Sequence, residues 1–389
     1  MSSRSLNILV VASWYPSPSA PNEGSYVQEQ ARMLLKAGHH VTVLHPYMLG
    51  NFSTEAFKKS HISNVVSEGI NEIRVGVAPV LPGFRVLSYK GGYRVVLKTL
   101  IAKGVSVASF DLIHSHSALL GGFIAQHLAK RFDLPLVHTE HASSYIFNPD
   151  QFTSAELKAV NTVFSQADAL LFVSAFAQHK ISTLFHGISA KLIKVIPNPV
   201  APIYYQQPLS PTTIPTKFLM VGDNIPVKNH ALLLRVWALF QQEHKDVHLT
   251  LVGKGLTIDH LVQEFPGLDL ARITIIEQLT RAEMVEVMRG MHVVLSTSNV
   301  ETFGLSIAEA QALGKPVVVT DSGGILDVVE QDTGTITEMS ETAYLDGLRN
   351  TMKHYAESNP AQIRFKAERF NQANILKQWE EVYSQVLNL

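Results

Sequence analysis

The stretch NVETFGLSIAEAQALGKPVVVTDSGG, residues 299–324, determines the fold of this chain. An apolar run (291–297) precedes it, a second apolar run (316–320) lies inside it, and the segment 305–313 between them has helical character. This order predicts a strand, a loop, a short helix, a second strand and a glycine loop. Such alternation is typical of an α/β unit built on a parallel sheet.

Two acidic residues in this stretch, Glu301 and Glu309, stand eight positions apart. The loops 298–304 and 321–324 follow predicted strands, and ligands of open α/β sheets bind at the carboxyl ends of strands. Helix 305–313 would direct its free N–H groups and partial positive charge to the same place. Backbone donors suit phosphate and carboxylates suit hydroxyls, so the stretch predicts a site for a sugar nucleotide.

The same alternation extends through the first half of the chain. Predicted strands occupy 7–12, 40–45, 71–76, 111–114, 135–139, 169–173 and 193–196. Predicted helices occupy about 24–37, 91–108, 118–132, 153–167 and 174–186. Short Val-, Ile- and Leu-rich strands that alternate with helices indicate a buried parallel sheet.

A proline-rich stretch, 197–215, separates this half from a second one. Six prolines in that stretch exclude a helix and a central strand, so we interpret 201–215 as a linker. Strands are then predicted at 217–222, 247–253, 272–276, 292–297 and 316–320, and helices at about 228–244, 280–290, 305–313 and 341–357. The predicted domains are 1–200 and 216–373, and the last helix, about 374–389, is expected to pack back on the first.

Composition excludes several classes of protein. The 389 residues are 46% hydrophobic and 17% charged, with a net charge of −1, so nothing indicates a nucleic-acid partner. The absence of cysteine excludes disulfides, thiolate metal sites and cysteine nucleophiles. The His138–His141 stretch lacks the helical spacing of a zinc site, so no metal is expected there.

The run from Ser298 to Val317 has the pattern S-x-x-E-T-F-G-L-S-x-x-E-A-x-A-x-G-x-P-V. It resembles the retaining glycosyltransferases of family 4, which have the two-domain GT-B architecture. Further segments are similar to characteristic parts of that family: 21–44, 111–116, 195–200, 221–234 and 321–324. The resemblance covers nearly the whole chain and implies two doubly wound, Rossmann-like domains that face each other across a cleft.

The resemblance also implies roles for individual residues. Glu301 is expected to hold hydroxyls of the donor sugar, Glu309 those of the ribose, and Lys228 the diphosphate, while His116 orients the reacting sugar. The expected catalytic residues are therefore His116, Glu301 and Lys228. The expected donor-binding residues are Gly24, Ser25, Lys228, Ser298, Glu301, Phe303, Gly304, Leu305 and Glu309. Gly323 and Gly324 are expected to approach phosphate or sugar through their backbone. Glu140 and His141 are expected to line the acceptor side of the cleft.

The implied activity is transfer of a hexose-type sugar from a nucleotide sugar to a hydroxyl of a glycan or lipid-linked glycan, as in polysaccharide biosynthesis. Anomeric configuration would be retained, without a metal or any cofactor besides the nucleotide-sugar co-substrate. One departure from the family pattern matters: Asp223 stands where the family commonly has arginine, so half of the expected cationic clamp is missing. A catalytically weak binding subunit, or another GT-B enzyme such as a sugar-nucleotide epimerase, therefore stays open.

The location of the protein is expected to be cytoplasmic. We interpret LNILVVA (6–12) as a buried first strand rather than the apolar core of a signal peptide, and no apolar run reaches the roughly 18 residues of a spanning helix. The stretch 84–103 is basic and apolar. Its favoured interpretation is a solvated helix face; the alternative is peripheral contact with an anionic membrane at the inner face.

Overall fold

The structure is a computed structural model. It describes residues 4–17, 20, 23–50, 62–80, 84–142, 144–206, 214–265 and 267–388, without the side chains of 260 and 262. The chain divides into two compact units. The first unit contains Met1–Val173, Gln178–Pro199 and Ile375–Leu389, and the second contains Ser174–Ala177 and Val200–Asn374.

The first unit is built on a sheet with the strand order β3-β4-β2-β1-β5-β6-β7-β8. Its strands are β1 (Asn7–Ala12), β2 (His40–Met48), β3 (Ile62–Ser67), β4 (Ile70–Val77), β5 (Leu112–His116), β6 (Leu136–Glu140), β7 (Ala169–Phe172) and β8 (Leu192–Val195). All neighbours pair in parallel except β3 and β4, which are antiparallel. The chain reverses its direction of progress across the sheet between β1 and β5, which makes that position a switch point.

The second unit is built on a six-stranded sheet that is parallel throughout, in the order β11-β10-β9-β12-β13-β14. Its strands are β9 (Lys217–Val221), β10 (His248–Val252), β11 (Ile273–Ile276), β12 (Val293–Ser296), β13 (Val317–Thr320) and β14 (Gly334–Thr337). This is the doubly wound order 3-2-1-4-5-6, whose switch point lies between β9 and β12. The prediction of two α/β units on parallel sheets is confirmed.

The helices of the chain run between these strands. They are α1 (Ser25–Lys36), α2 (Arg85–Ala102), α3 (Phe123–Phe132), α4 (Ser144–Phe147), α5 (Ser154–Gln166), α6 (Ala175–Leu184), α7 (Pro202–Tyr205), α8 (His230–Glu243), α9 (Ile258–Glu264), α10 (Arg281–Arg289), α11 (Leu305–Ala312), α12 (Glu341–His354), α13 (Pro360–Ala367) and α14 (Gln372–Leu387). Through Ile375, Trp379, Val382 and Tyr383, helix α14 joins the buried cluster on one face of the first sheet.

Three predicted boundaries are wrong for identifiable reasons. Helix α2 begins at Arg85 rather than at 91 and continues through Gly92. Glycine is needed there for close packing, because a Cβ would lie 2.8 Å from the Val77 side chain on β4. The helix predicted at 118–132 is regular only from Phe123, since residues 118–122 have non-helical backbone angles. The proline-rich stretch does contain a helix, α7, because a proline at its first position needs no N–H partner. Strands β3 and β14 and helices α4, α9 and α13 were not predicted.

Candidate functional site

The site of the second unit is formed by loops that follow neighbouring strands. Strands β9 and β12 pair side by side although two strands separate them in the chain. The side chain of Thr297, just after β12, donates to the Lys228 carbonyl at 3.2 Å. The Asn299 N–H donates to the Val227 carbonyl at 2.8 Å. These bonds fix the loop after β9 against the loop after β12, at the switch point where ligands of such sheets bind.

Lys228 and Glu301 form an ion pair at this junction. Lys228 Nζ lies 2.6 Å from Glu301 Oε1, and the Ser298 hydroxyl donates to the same oxygen at 2.8 Å. The two charged side chains are 25% and 15% exposed. Among the described residues, Glu301 Oε2 has no hydrogen-bond partner, so it can accept from a ligand. The sequence assigned these two residues to different groups of a ligand, whereas in the structure they also contact each other.

The glycine loop after β13 pairs with the same backbone. The Glu301 N–H donates to the Ser322 carbonyl at 2.8 Å, and the Gly324 N–H donates to the Glu301 carbonyl at 2.9 Å. A Cβ on Gly324 would lie 2.3 Å from the Thr302 carbonyl oxygen. Glycine at 324 therefore allows close packing against the Glu301 loop, and its N–H donates within the protein, while the approach of this loop to phosphate or sugar stays a prediction. Gly323 has a φ of 84°, which favours glycine.

Helix α11 begins at this loop without a side-chain cap. Its N-cap is Gly304, with a φ of 91°, and no side chain of the described residues bonds to the first turn. Leu305 is the first helical residue, so its N–H belongs to the group that lacks intrahelical partners. Phe303 is buried and packs edge-on against Phe370, with 5.3 Å between the ring centroids, which anchors the turn. The helix thus offers N–H groups and a partial positive charge to an anion.

Glu309 lies on α11, half-buried. Its carboxylate is near enough to Tyr205 to affect that phenol: burial raises the pKa of Tyr205, and the carboxylates of Glu368 and Glu309 raise it further. Tyr205 ends α7 and donates to the Ala367 carbonyl at 2.7 Å. Part of the predicted linker therefore packs close to Glu309, the carboxylate that is expected to hold the ribose.

Asp223, the residue that departs from the family pattern, is engaged within the protein. Its Oδ1 accepts a hydrogen bond from the Lys254 N–H at 2.8 Å, and the Asn224 N–H donates to the Lys254 carbonyl at 2.8 Å. These bonds join the loops after β9 and β10. The Asp223 carboxylate thus accepts a hydrogen bond from the backbone of a neighbouring loop, and this structural role explains why an acidic residue occurs at this position.

The predicted residues of the first unit lie at its own switch point. Gly24 is the N-cap of α1, with a φ of 63°, and a Cβ there would lie 2.2 Å from the Trp14 carbonyl oxygen. Only glycine fits this approach of α1 to the loop after β1. Ser25 is the first helical residue and makes no capping bond.

His116 ends β5 and is 2% exposed. Its Nδ1 lies 3.0 Å from His141 Nε2, and its ring stacks on His114 with 4.5 Å between centroids. Burial lowers the pKa of His116 well below its usual value, and the neighbouring histidines lower it further. His116 is therefore neutral at neutral pH and suits hydrogen bonding better than charge stabilisation. Its Nε2 is buried and has no partner among the described residues.

Glu140 does not line the acceptor side, contrary to the prediction. Its carboxylate is fully buried and accepts from the N–H groups of Ala118 (2.9 Å), His141 (2.8 Å) and Ala142 (2.8 Å). Burial raises the pKa of Glu140, but hydrogen bonds from His138 and from backbone N–H groups outweigh burial and lower it. Glu140 is thus a charged anchor that holds the loops after β5 and β6.

A cavity of about 760 Å³ lies in the first unit, at the carboxyl ends of its strands. Its lining is rich in aromatic side chains: Trp14, Tyr15, Tyr47, Tyr89, Tyr145 and Phe152. Arg74, Arg85 and His45 also line it. Aromatic faces beside a few polar groups are typical of small-molecule sites. No local pattern in the sequence indicated this cavity, because its walls come from segments far apart in the chain.

No group of three or more histidine, aspartate or glutamate side chains able to hold a metal occurs in the described part of the chain. None of the described helices combines the length and the apolar character that crossing a bilayer requires.

Comparison with known families matches the two halves of the chain separately. Residues 24–202 match the model of Glycosyltransferase Family 4, and residues 206–366 match that of Glycosyl transferases group 1.

Curated relatives include an uncharacterized glycosyltransferase of Bacillus subtilis, 28% identical over 58% of this chain and 63% of its own length. D-inositol 3-phosphate glycosyltransferase of Mycolicibacterium gilvum is 30% identical over 56% of this chain and 52% of its own length. Glycogen synthase of Mycobacterium tuberculosis is 26% identical over 83% of this chain and 80% of its own. The chain thus matches between half and two thirds of the length of the first two relatives.

Solved structures share the fold. Sucrose-phosphate synthase of Thermosynechococcus elongatus has a TM-score of 0.78 at 19% identity, covering 99% of this chain and 100% of that one. Anabaena HepE in complex with UDP-glucose has a TM-score of 0.71 at 21% identity, covering 98% and 100%. The two α/β units, the matched family models and these neighbours together identify the chain as a member of the family-4-like glycosyltransferases of the GT-B superfamily.

Proposed function

We propose that the chain transfers a hexose-type sugar from a nucleotide sugar to a hydroxyl of a glycan or lipid-linked glycan, with retention of anomeric configuration. The observation that carries this proposal is the group formed by Lys228, Glu301 and Ser298 beside the uncapped N-terminus of α11. It combines a cation and free N–H groups for a diphosphate with a carboxylate oxygen for sugar hydroxyls.

The diphosphate is the leaving group of this reaction. Negative charge grows on it as the bond to the sugar breaks, so a fixed cation and a helix N-terminus stabilise the transition state more than the ground state. Lys228 has three N–H donors, and one of them suffices for Glu301. Because lysine and backbone N–H groups supply the positive charge, we propose that transfer needs no divalent metal.

The carboxylates define the rest of the donor site. Glu301 Oε2 would accept hydrogen bonds from hydroxyls of the sugar, and Glu309 those from the ribose. A charged acceptor strengthens each of these bonds. HepE, which shares this fold, was solved in complex with UDP-glucose, and that complex supports a nucleotide sugar as the donor here.

The acceptor would bind in the first unit. We propose that His116, a neutral imidazole at the carboxyl end of β5, orients the reacting sugar. The departing diphosphate would take the proton of the attacking hydroxyl, so that no separate protein base is needed. Removal of that proton makes the hydroxyl nucleophilic on the face that the leaving group vacates, which gives retention.

The alternative of a catalytically weak binding subunit rests on Asp223. Because Asp223 accepts from the Lys254 N–H, its carboxylate has a structural role that is compatible with catalysis. We therefore favour an enzyme.

The test is a panel of nucleotide sugars, scored by thermal shift and by release of nucleoside diphosphate, with and without EDTA. A ligand that binds only the folded chain raises its melting temperature. We expect one donor to stabilise the protein and to be turned over, and Glu309→Ala to lose both effects. Binding without turnover with any acceptor would favour the binding subunit, and conversion of the donor into its epimer without an acceptor would favour the epimerase.

A further inference from the structure

One face of helix α2 in the first unit is exposed and mixes cations with large apolar side chains. We call this set the α2 stripe: Phe84, Leu87, Lys90, Arg94, Lys98 and Ile101. Its apolar members are 59%, 44% and 69% exposed in chain order, and the three cations are exposed as well.

Helical spacing places the members from Leu87 to Ile101 on one side of α2, because residues three and four positions apart share a face, and Phe84 is the N-cap where the helix begins. The opposite side carries Val96 and Leu100, both fully buried in the core of the first unit. The stripe is therefore the face that α2 turns away from its own unit.

The charge of this face is uncompensated. The stretch 84–103 contains five basic residues and no acidic one. Arg85, at the edge of the cavity, lies 3.3 Å from Glu156, but none of the three stripe cations forms an ion pair within the described residues. Isolated exposed apolar residues are ordinary, and solvated lysines are too. Here apolar side chains flank the cations on one face, and that combination is what an anionic lipid surface binds.

The same helix forms part of the aromatic cavity. Arg85 and Tyr89 line that cavity, and Trp14, 39% exposed, lines it as well. A surface that binds α2 would therefore lie near the cavity. We propose that the α2 stripe binds an anionic phospholipid bilayer and holds the cavity beside the lipid, so that the acceptor sugar is carried by a membrane lipid. The assignment of the acceptor rests on the proposed function; the membrane contact does not.

The experiment uses the full chain and vesicles of phosphatidylcholine, with or without about a third of phosphatidylglycerol. Sedimentation measures binding at low and high salt. The stripe variant is Lys90→Gln/Arg94→Gln/Lys98→Gln. The control variant, Lys130→Gln/Arg131→Gln/Lys158→Gln, removes the same charge from exposed positions elsewhere in the first unit. Each cation near an anionic surface contributes about tenfold or less to the affinity, so we expect the stripe variant to bind anionic vesicles about 100-fold more weakly than the wild type. The control variant should bind like the wild type.

Tryptophan fluorescence measures whether the cavity lies close to the lipid headgroups when the protein is bound to vesicles. Of the three tryptophans, Trp237 and Trp379 are buried, so lipids with a nitroxide near the headgroup should quench Trp14, and Trp14→Phe should abolish that quenching.

Equal binding to neutral vesicles, full binding by the stripe variant, or binding without quenching of Trp14 would overturn the proposal. Displacement of the protein from vesicles by millimolar glycerol phosphate would also overturn it, since the site would then recognise free phosphate rather than a bilayer. Donor binding in lipid-free solution is measured in parallel, so a failure of the membrane contact is distinguishable from a failure of the proposed function.

Discussion

Replacement of Lys228 by methionine tests the electrostatic part of the donor site. Methionine keeps most of the stem that packs against Gly222, whose added Cβ would lie 3.2 Å from Lys228 Cδ, and it removes the charged ammonium group with its N–H donors. Two unit charges about 4 Å apart interact by about 4 kcal/mol at the effective dielectric of a protein surface. Because Lys228 is 25% exposed, solvent screening reduces this figure, and we expect a loss of about 3 kcal/mol in transition-state stabilisation, or roughly 100-fold in kcat/KM.

The variant also leaves the Glu301 carboxylate without its cation. We therefore expect its free energy of unfolding in urea to be lower by about 1 kcal/mol. Adding Glu301→Gln to Lys228→Met should recover part of that loss. Recovery of stability without recovery of turnover would separate the structural role of the pair from the role of the lysine in catalysis.

The assay measures nucleoside diphosphate release over a range of donor concentrations. Lys217→Met, at the amino end of the same strand β9, removes an equal charge far along the strand from the site and should leave kcat/KM unchanged. If Lys228→Met also kept the wild-type kcat and KM, the lysine would not face the diphosphate, and the reasoning would be refuted.

Three further variants or conditions test other parts of the account. Glu309→Ala should weaken binding of the free nucleoside diphosphate by about tenfold or more in calorimetry, because a charged acceptor for the ribose is lost; an unchanged affinity would remove Glu309 from the site. Glu140→Gln should lower the free energy of unfolding by about 2–3 kcal/mol in urea, since an amide N–H₂ cannot accept from a backbone N–H, whereas Glu23→Gln, at an exposed position, should have little effect. Burial lowers the pKa of His141 to about 3 and that of His116 well below its usual value, so below about pH 6.5 the unfolded chain binds protons that the folded chain does not. The contribution of these two histidines to stability should be constant above that pH and fall on acidification by up to about 1.4 kcal/mol per pH unit for each histidine; equal urea midpoints at about pH 7 and pH 5 would contradict this.

The stretch 299–324 shows how far the sequence alone reaches. Its helix was predicted at 305–313 and runs from Leu305 to Ala312, and its second strand was predicted at 316–320 and runs from Val317 to Thr320. These elements follow from local patterns: a run of small and apolar residues after Gly304, and a continuous β-branched run.

The ion pair between Lys228 and Glu301 could not be predicted from the sequence. The two residues are 73 positions apart, and their contact depends on β9 and β12 being neighbours in the sheet. Strand order is a property of the whole fold, so no local pattern carries it.

Burial is the other quantity that residue type does not reveal. Glu140 looked like a residue that lines a binding site, yet its carboxylate is fully buried because three backbone N–H groups stabilise its charge there. Gly324 was expected to approach phosphate or sugar through its backbone, and the sequence did not show that its N–H and its lack of a Cβ also serve the packing of the Glu301 loop. A site residue and a structural residue of the same type differ only in their partners.

Binding of a nucleotide sugar is assigned to Glu301, beside the N-terminus of α11, and to Glu309, farther along the same helix. The most direct test of this assignment is calorimetric titration of wild type and Glu301→Gln with the stabilising nucleotide sugar and with its free nucleoside diphosphate. We expect Glu301→Gln to bind the nucleotide sugar about tenfold more weakly, because the hydrogen bonds to the sugar are weakened. The nucleoside diphosphate should bind as well as to the wild type or better, since Lys228 is then released to it. Unchanged binding of the nucleotide sugar would contradict the account.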